Sequence, residues 1–164
     1  MKELLLQYAS YNAWANKKIT EIILTLSPEL CSKEIKSSFS SLNKTMLHML
    51  DAESIWWQRL KLNEKIVVPS EDFKGETKDI VSSLLLCDLQ WQEWVAGATD
   101  VALDHVFQYQ NSKKESFKQP VYQVLQHVFN HGTYHRGQLI TMLRELGVEK
   151  LPATDFILFT RNKK

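Results

Sequence analysis

The densest concentration of chemistry-bearing residues is the run His127-Val-Phe-Asn-His131-Gly-Thr-Tyr-His135-Arg-Gly-Gln138, which holds three of the chain's five histidines. Side chains four apart on a helix lie one turn apart on one face, so successive histidines here can offer two imidazole nitrogens to one divalent ion. All three cannot share it, because His127 and His135 stand about 12 Å apart along a helix axis while imidazole nitrogens sit ~2.0–2.1 Å from a metal. The helical stripe Val121, Val124, Val128, His131, His135, Gln138, Met142 favours the later pair. His131 and His135 fall where a core expects apolar side chains, and His127 falls at the edge. Burying unpartnered imidazoles is costly, so something must satisfy them. A metal does so; hydrogen bonds to core carboxylates or water are the alternative, and the sequence leaves both open.

Two helical histidines leave a metal under-coordinated, and the remaining histidines, His48 and His105, are the candidates for a third ligand. His48 lies amid apolar residues in Leu47-His48-Met49-Leu50, with Thr45 and Ala52 leaving room, and fits a helical core site better than His105. Three neutral histidines plus a water describe catalytic rather than structural zinc. Glu53 occupies an apolar stripe and reads either as a carboxylate that orients a ligand histidine or acts as general base, or as one half of a buried ion pair with Arg136 or Arg59. Asp51 reads as exposed. Trp56, Trp57, Trp91 and Trp94 read as core aromatics, one or two of them at the mouth of a site. Gly132 and Gly137, inside a helix at a cost of ~0.8–1 kcal/mol each against alanine, suggest close approach by a neighbouring helix or a bound molecule.

Four long helical segments must position these residues. The first runs from Leu4 to Leu26, with Leu4, Tyr8, Tyr11, Ala15, Ile19 and Ile22 on one face, and ends at Ser27-Pro28. The second follows an N-cap at Ser40 or Ser41 and carries Leu42, Met46, Met49, Glu53, Trp56 and Leu60. The third starts near Thr77 with the stripe Ile80, Leu84, Cys87, Trp91, Trp94, Ala98. The fourth starts at Pro120 and stops at Gly147, a helix-ending glycine. Between the last two, Val106–Gln110 and Glu115–Lys118 read as a short β-hairpin or an ordered loop, and the 61–76 connection is long enough to cross the molecule. The expectation is an all-α, up-down-type four-helix bundle forming one domain over residues 1–164.

The composition narrows the function classes. A net charge of +1 gives no electrostatic footprint for nucleic acid, and no segment is apolar for long enough to span a membrane. Three leucines near the N-terminus do not make a signal peptide, which points to the cytoplasm. Cys31 and Cys87 have no CxxC spacing and read as reduced thiols, Cys87 as a small core residue. Arg161, Lys163 and Lys164 read as a solvated basic tail, and the apolar 151–159 segment as packing on the bundle or on a partner subunit.

The motifs together resemble the DinB/YfiT-like family of helical-bundle metalloproteins. The resemblance covers essentially the whole chain and rests on Tyr11-Asn12-Ala13-Trp14-Ala15-Asn16, on His48 through Trp57, and above all on His127 through Gln138. It implies that His48, His131 and His135 are metal ligands and His127 is not, that zinc or nickel is the ion, and that homodimers are frequent. Among such proteins some transfer a low-molecular-weight thiol of the bacillithiol type, and others isomerise. The expected function is thus metal-dependent transfer of a small thiol to an electrophile, with Glu53 or a metal-bound hydroxide taking the proton and Arg136 available for a substrate carboxylate. Metal-assisted hydrolysis, or a non-enzymatic metal-binding stress role, are the alternatives.

Overall fold

The structure, a computed structural model, describes residues 1–161. Four long helices, α1 (Lys2–Ile23), α3 (Leu42–Leu60), α4 (Thr77–Gly97) and α6 (Val121–Glu145), carry most of the chain. Three short ones, α2 (Pro28–Ser32), α5 (Asp100–Asp104) and α7 (Phe156–Arg161), and one hairpin, β1 (Val106–Gln110) with β2 (Ser116–Pro120), fill the connections. The helix starts follow from local chemistry. Ser41 Oγ accepts from the Lys44 N–H, and Glu76 and Asp79 cap α4 reciprocally. Pro120 serves as the cap of α6 rather than its first residue, and Gly147 takes the left-handed conformation after its end, at φ +84°.

The principal helix contacts are α1 with α4 and α6, and α3 with α4 and α6, so each helix has two neighbours around a square. Two apolar clusters show the directions. One joins Ile19, Ile23, Leu42, Met46, Ile80, Leu84, Met142 and Leu143, and the other joins Leu5, Ala9, Trp91, Val95, Val121 and Leu125. Helices α1 and α6 therefore run one way and α3 and α4 the other. The bundle is up-down-down-up rather than a plain alternation, because the 61–76 connection carries the chain back along the length of α3. It is fastened there by Gln58, bonded to both backbone polar groups of Val67, and by Asp51, which accepts from Ser70 N–H (2.8 Å) and Oγ–H (2.6 Å). Asp51 is thus half-buried and engaged, where the sequence suggested exposure.

The hairpin pairs antiparallel in the register Val106 with Pro120 and Gln110 with Ser116, and Asn111 organises its turn. Helix α1 is rotated slightly from its expected face: Leu5, Asn12, Asn16 and Ile23 are buried, whereas Leu4 is exposed. Trp91 is fully buried, Trp57 meets it edge-on, and Trp56 and Trp94 pack half-buried against the same apolar cluster. Cys31 and Cys87 are free thiols, and Cys87 is only partly buried beside the core. The 151–159 segment turns back on α1: Tyr11 donates to the Thr154 carbonyl (2.8 Å), and Phe159 packs on Tyr11 and Trp14. Arg161 is exposed, and Lys163 and Lys164 of the basic tail lie outside the described residues. No helix among the described residues is long and apolar enough to cross a membrane.

Candidate metal centre

His48 on α3 and His131 and His135 on α6 meet where these antiparallel helices adjoin. The His131 Nε2 atom lies 3.1 Å from His48 Nε2 and 3.0 Å from His135 Nε2. Two nitrogens bound at ~2.0–2.1 Å in a tetrahedral arrangement would be about 3.3 Å apart, so the observed spacing nearly matches a common ion. The protonation pattern points the same way. His135 Nδ1 lies 2.7 Å from Gln138 Oε1, an atom that only accepts, so this nitrogen carries the hydrogen and Nε2 presents a lone pair. Gln138 is itself oriented by donating from Nε2 to Ser38 Oγ at 3.3 Å. His131 Nε2 has one in-plane site for its two neighbours, so a hydrogen there serves one contact and leaves the other poorly made. A cation at the point of convergence satisfies all three nitrogens.

The environment holds the three imidazoles neutral. Burial lowers the pKa of each; the His135 ring adds to this at His48, and at His131 the other rings bring the value to about 4. Phe39 stacks on His48 with ring centroids 4.1 Å apart and meets His135 edge-on, and Tyr134 meets His135 from the solvent side. His135 is buried while His48 and His131 remain partly open, which leaves an approach to the convergence point. Among the described residues this is the one group of histidine, cysteine or carboxylate side chains with metal-ligand spacing. His127 is exposed, with its ring edge-on to Trp56 at 5.4 Å. His105 ends α5, exposed and outside the group.

Glu53 is buried, as its stripe suggested, but on a different face from the histidines. It follows His48 by five residues, about 140° around the helix, so it faces the middle of the bundle rather than the histidines. There it joins a buried polar layer with Asn12, Asn16, Asp88 and Arg136. Asn12 Nδ2 donates to Glu53 Oε1 (3.1 Å) and Asp88 Oδ1 (2.8 Å), and Asn16 Nδ2 donates to both Asp88 oxygens at 3.0 Å. Arg136 donates to Asn12 Oδ1, to Asn16 Oδ1 (2.9 Å) and to Thr133 Oγ1 (2.8 Å), with its guanidinium over the Tyr11 ring. Neither ion pair expected for Glu53 forms directly, and buried Arg136 is occupied rather than free for a substrate. Burial raises both carboxyls, Asp88 to about 7 despite help from Asn16, Arg136 and Asn12. Glu53 rises well above the carboxylate range through burial and then the Asp88 charge. Its Oε2 atom, buried with no partner among the described residues, suits a protonated acid. Burial and then these two carboxyls push the Cys87 thiol up to about 12, so it stays protonated.

Gly132 belongs to this layer. A Cβ there would stand 2.5 Å from Asn12 Oδ1 and 3.0 Å from Arg136 Nη1, whereas a Cβ on Gly137 meets nothing within 4 Å. The close approach expected at both glycines thus holds for Gly132 alone, and its neighbours are side chains of the polar layer. Asn12 and Asn16 had a faint sequence signal, their four-residue spacing on a core face. Phe39, alone in the run Ser37-Ser38-Phe39-Ser40-Ser41, had less.

The sequence profile of the DinB family matches residues 1–163. Protein DinB of Bacillus subtilis is 30% identical over 172 residues, spanning 97% of this chain and 95% of that protein. A DinB-like protein from Bacillus cereus superposes with a TM-score of 0.72 at 20% identity, over 92% of this chain and 95% of its own. A second DinB-like structure, from Bacillus subtilis, gives 0.68 at 17% identity, over 91% and 98%.

Proposed function

The chain belongs to the DinB family, and from that premise we propose that His48, His131 and His135 hold one divalent ion, zinc or nickel, at the centre of an enzyme that transfers a low-molecular-weight thiol to an electrophile. The observation that carries the reading is the convergence of three neutral imidazole Nε2 atoms, 3.0 and 3.1 Å apart in successive contacts, at a partly open point. A three-histidine set leaves coordination positions free. Such an ion, when bound, lowers the pKa of a thiol at an open position and supplies a thiolate at neutral pH.

The chain's own residues do the rest. Gln138 holds the His135 tautomer, Phe39 shields two of the rings from water, and Tyr134 guards the solvent side. Cys87, with its thiol raised to about 12, is not suited as the nucleophile, which favours an external thiol. Glu53 faces the polar layer and serves as a structural acid there, so the proton of the incoming thiol would pass to solvent water at the open side of the site. We further read the whole of 1–164 as one domain working in the cytoplasm as a homodimer, without nucleic acid or membrane as partner. Thiol-dependent turnover of a model electrophile such as monobromobimane, corrected for the uncatalysed rate and lost in His131→Ala, tests the reading. A fully metal-loaded protein inert with a panel of small thiols would refute it.

A further inference from the structure

Beyond the histidines, the same α3–α6 face leads to a cation with no anion. The Arg59 guanidinium carbon sits 4.6 Å from the Trp56 ring centroid and 5.3 Å from that of Tyr109. Among the described residues no carboxylate lies within 4.0 Å of it, and its Nε is buried with no hydrogen-bond partner. Arg136, the other guanidinium drawn into the fold, has three acceptors; Arg59 has walls and, among the described residues, no acceptor. Those walls are fixed. Trp56 is wedged edge-on between Tyr109 (4.8 Å) and His127 (5.4 Å), and the Tyr109 hydroxyl donates to Gln119 Oε1 at 2.5 Å. Arg59 and Tyr109 line a cavity of about 640 Å³ with Ile55, Gln108, Asn111 and Ser112. Its one acidic lining residue, Glu64, is exposed and not paired with Arg59.

The distance to the histidines sets the size of what could bridge them. Arg59 follows His48 by eleven residues, about 16 Å along the helix axis, and its guanidinium leans back over Trp56, shortening the span to about 12 Å. A metal–sulfur bond of ~2.3 Å and a charge-assisted hydrogen bond of ~2.8 Å use about 5 Å of this. About 7 Å is left between the sulfur and the carboxylate, about two extended residues' worth, as from the central side chain of a tripeptide to its end. One guanidinium with aromatic walls and no second cation in the cavity suits a single carboxylate better than a dianionic phosphate.

We propose that the Arg59 cavity binds a carboxylate of an elongated, tripeptide-sized small molecule whose other end reaches His48, His131 and His135. The far end of this assignment rests on the metal–thiol reading above, while the Arg59 end stands on the unpaired guanidinium. The test uses glutathione and its thioether S-methylglutathione, which keeps both carboxylates but offers no thiol. Calorimetric titration of S-methylglutathione into the full-length protein should give binding at about 1 mM or tighter. Arg59→Met should weaken it about 10- to 100-fold, the range for a lost charge-assisted bond, and Arg59→Lys should weaken it less. Unchanged melting temperature and metal content in Arg59→Met exclude a folding defect. No binding to the wild type, or equal binding by wild type and Arg59→Met, would overturn the proposal. If S-methylglutathione binds in an Arg59-dependent way but glutathione binds the zinc-loaded protein no more tightly, the Arg59 site stands and the thiol reading falls.

Discussion

Replacing Arg136 by methionine removes the only cation among the buried residues of the polar layer while keeping most of the side chain's length. The wild-type guanidinium serves Asn12, Asn16 and Thr133 and offsets the buried Glu53 and Asp88 carboxyls. Breaking a buried charge network from one side costs about 3–5 kcal/mol, because the remaining charge and acceptors are left uncompensated. For a chain of this size each kcal/mol moves the melting temperature by ~2–4 °C, so a fall of about 6–20 °C is expected. The loss must also depend on pH. A carboxyl with a raised folded pKa contributes stability below its unfolded value and loses it as pH rises through the folded value, here from about 4 to about 7 for Asp88. Without Arg136 both carboxyls rise further, so the cost of the substitution grows from pH 5 to pH 8. Urea unfolding of the chelator-treated protein at both pH values measures this. The double variant Arg136→Met with Asp88→Asn should lose less than the sum of the two single variants. A cost under about 1 kcal/mol at both pH values, or a greater cost at pH 5, would refute the charge compensation.

Gln138→Ala should weaken zinc binding by about 10- to 100-fold in chelator competition with little change in melting temperature, since it frees the His135 tautomer without emptying the core. Gly132→Ala should destabilise by ~1–3 kcal/mol, because its Cβ meets Asn12 and Arg136. Gly137→Ala should stabilise by up to ~1 kcal/mol, since its Cβ enters open space on a helix; denaturant titrations of the pair give both signs. Because burial lowers all three ligand histidines, His131 to about 4, they stay neutral below the ordinary histidine value. Zinc affinity should therefore change little from pH 8 to pH 6 and collapse near pH 4. The lowered histidine pKa values also make stability without metal fall as pH drops from ~6.5 through about 4. Asp88 opposes that trend in the wild type, so Asp88→Asn should steepen the acid loss in pH-dependent melts.

The His131–His135 pair was legible because chemistry and geometry coincide in one dimension, whereas His48, on another helix, stood out from His105 only by its apolar neighbours and by the family resemblance. Residues four apart must share a helix face, and imidazoles in an apolar stripe must be satisfied. Helix ends were legible for a similar reason, since Ser41 and Gly147 act on bonds within a few residues of themselves. The polar layer was not, because Asn12, Glu53, Asp88 and Arg136 come from four different helices and satisfy each other only once those helices are side by side. Glu53 shows the limit most clearly. Its stripe position predicted burial correctly, but a five-residue offset from His48 turns it to another face, which fixes its partners. The direction of α4 was equally non-local, decided by a connection fastened to α3 through Asp51 and Gln58. Arg59 likewise looks like any charged residue near a helix end until the hairpin brings Tyr109 against it.

Elemental mass spectrometry on untagged protein, wild type beside His135→Ala, tests the proposed site most directly. Binding by His48, His131 and His135 predicts about one equivalent of zinc or nickel in the wild type, as isolated or after incubation with the ion, and near none in the variant. No metal in the wild type even after incubation, or an undiminished content in His135→Ala, would contradict it, leaving the three imidazoles as a hydrogen-bonded cluster in a helical bundle.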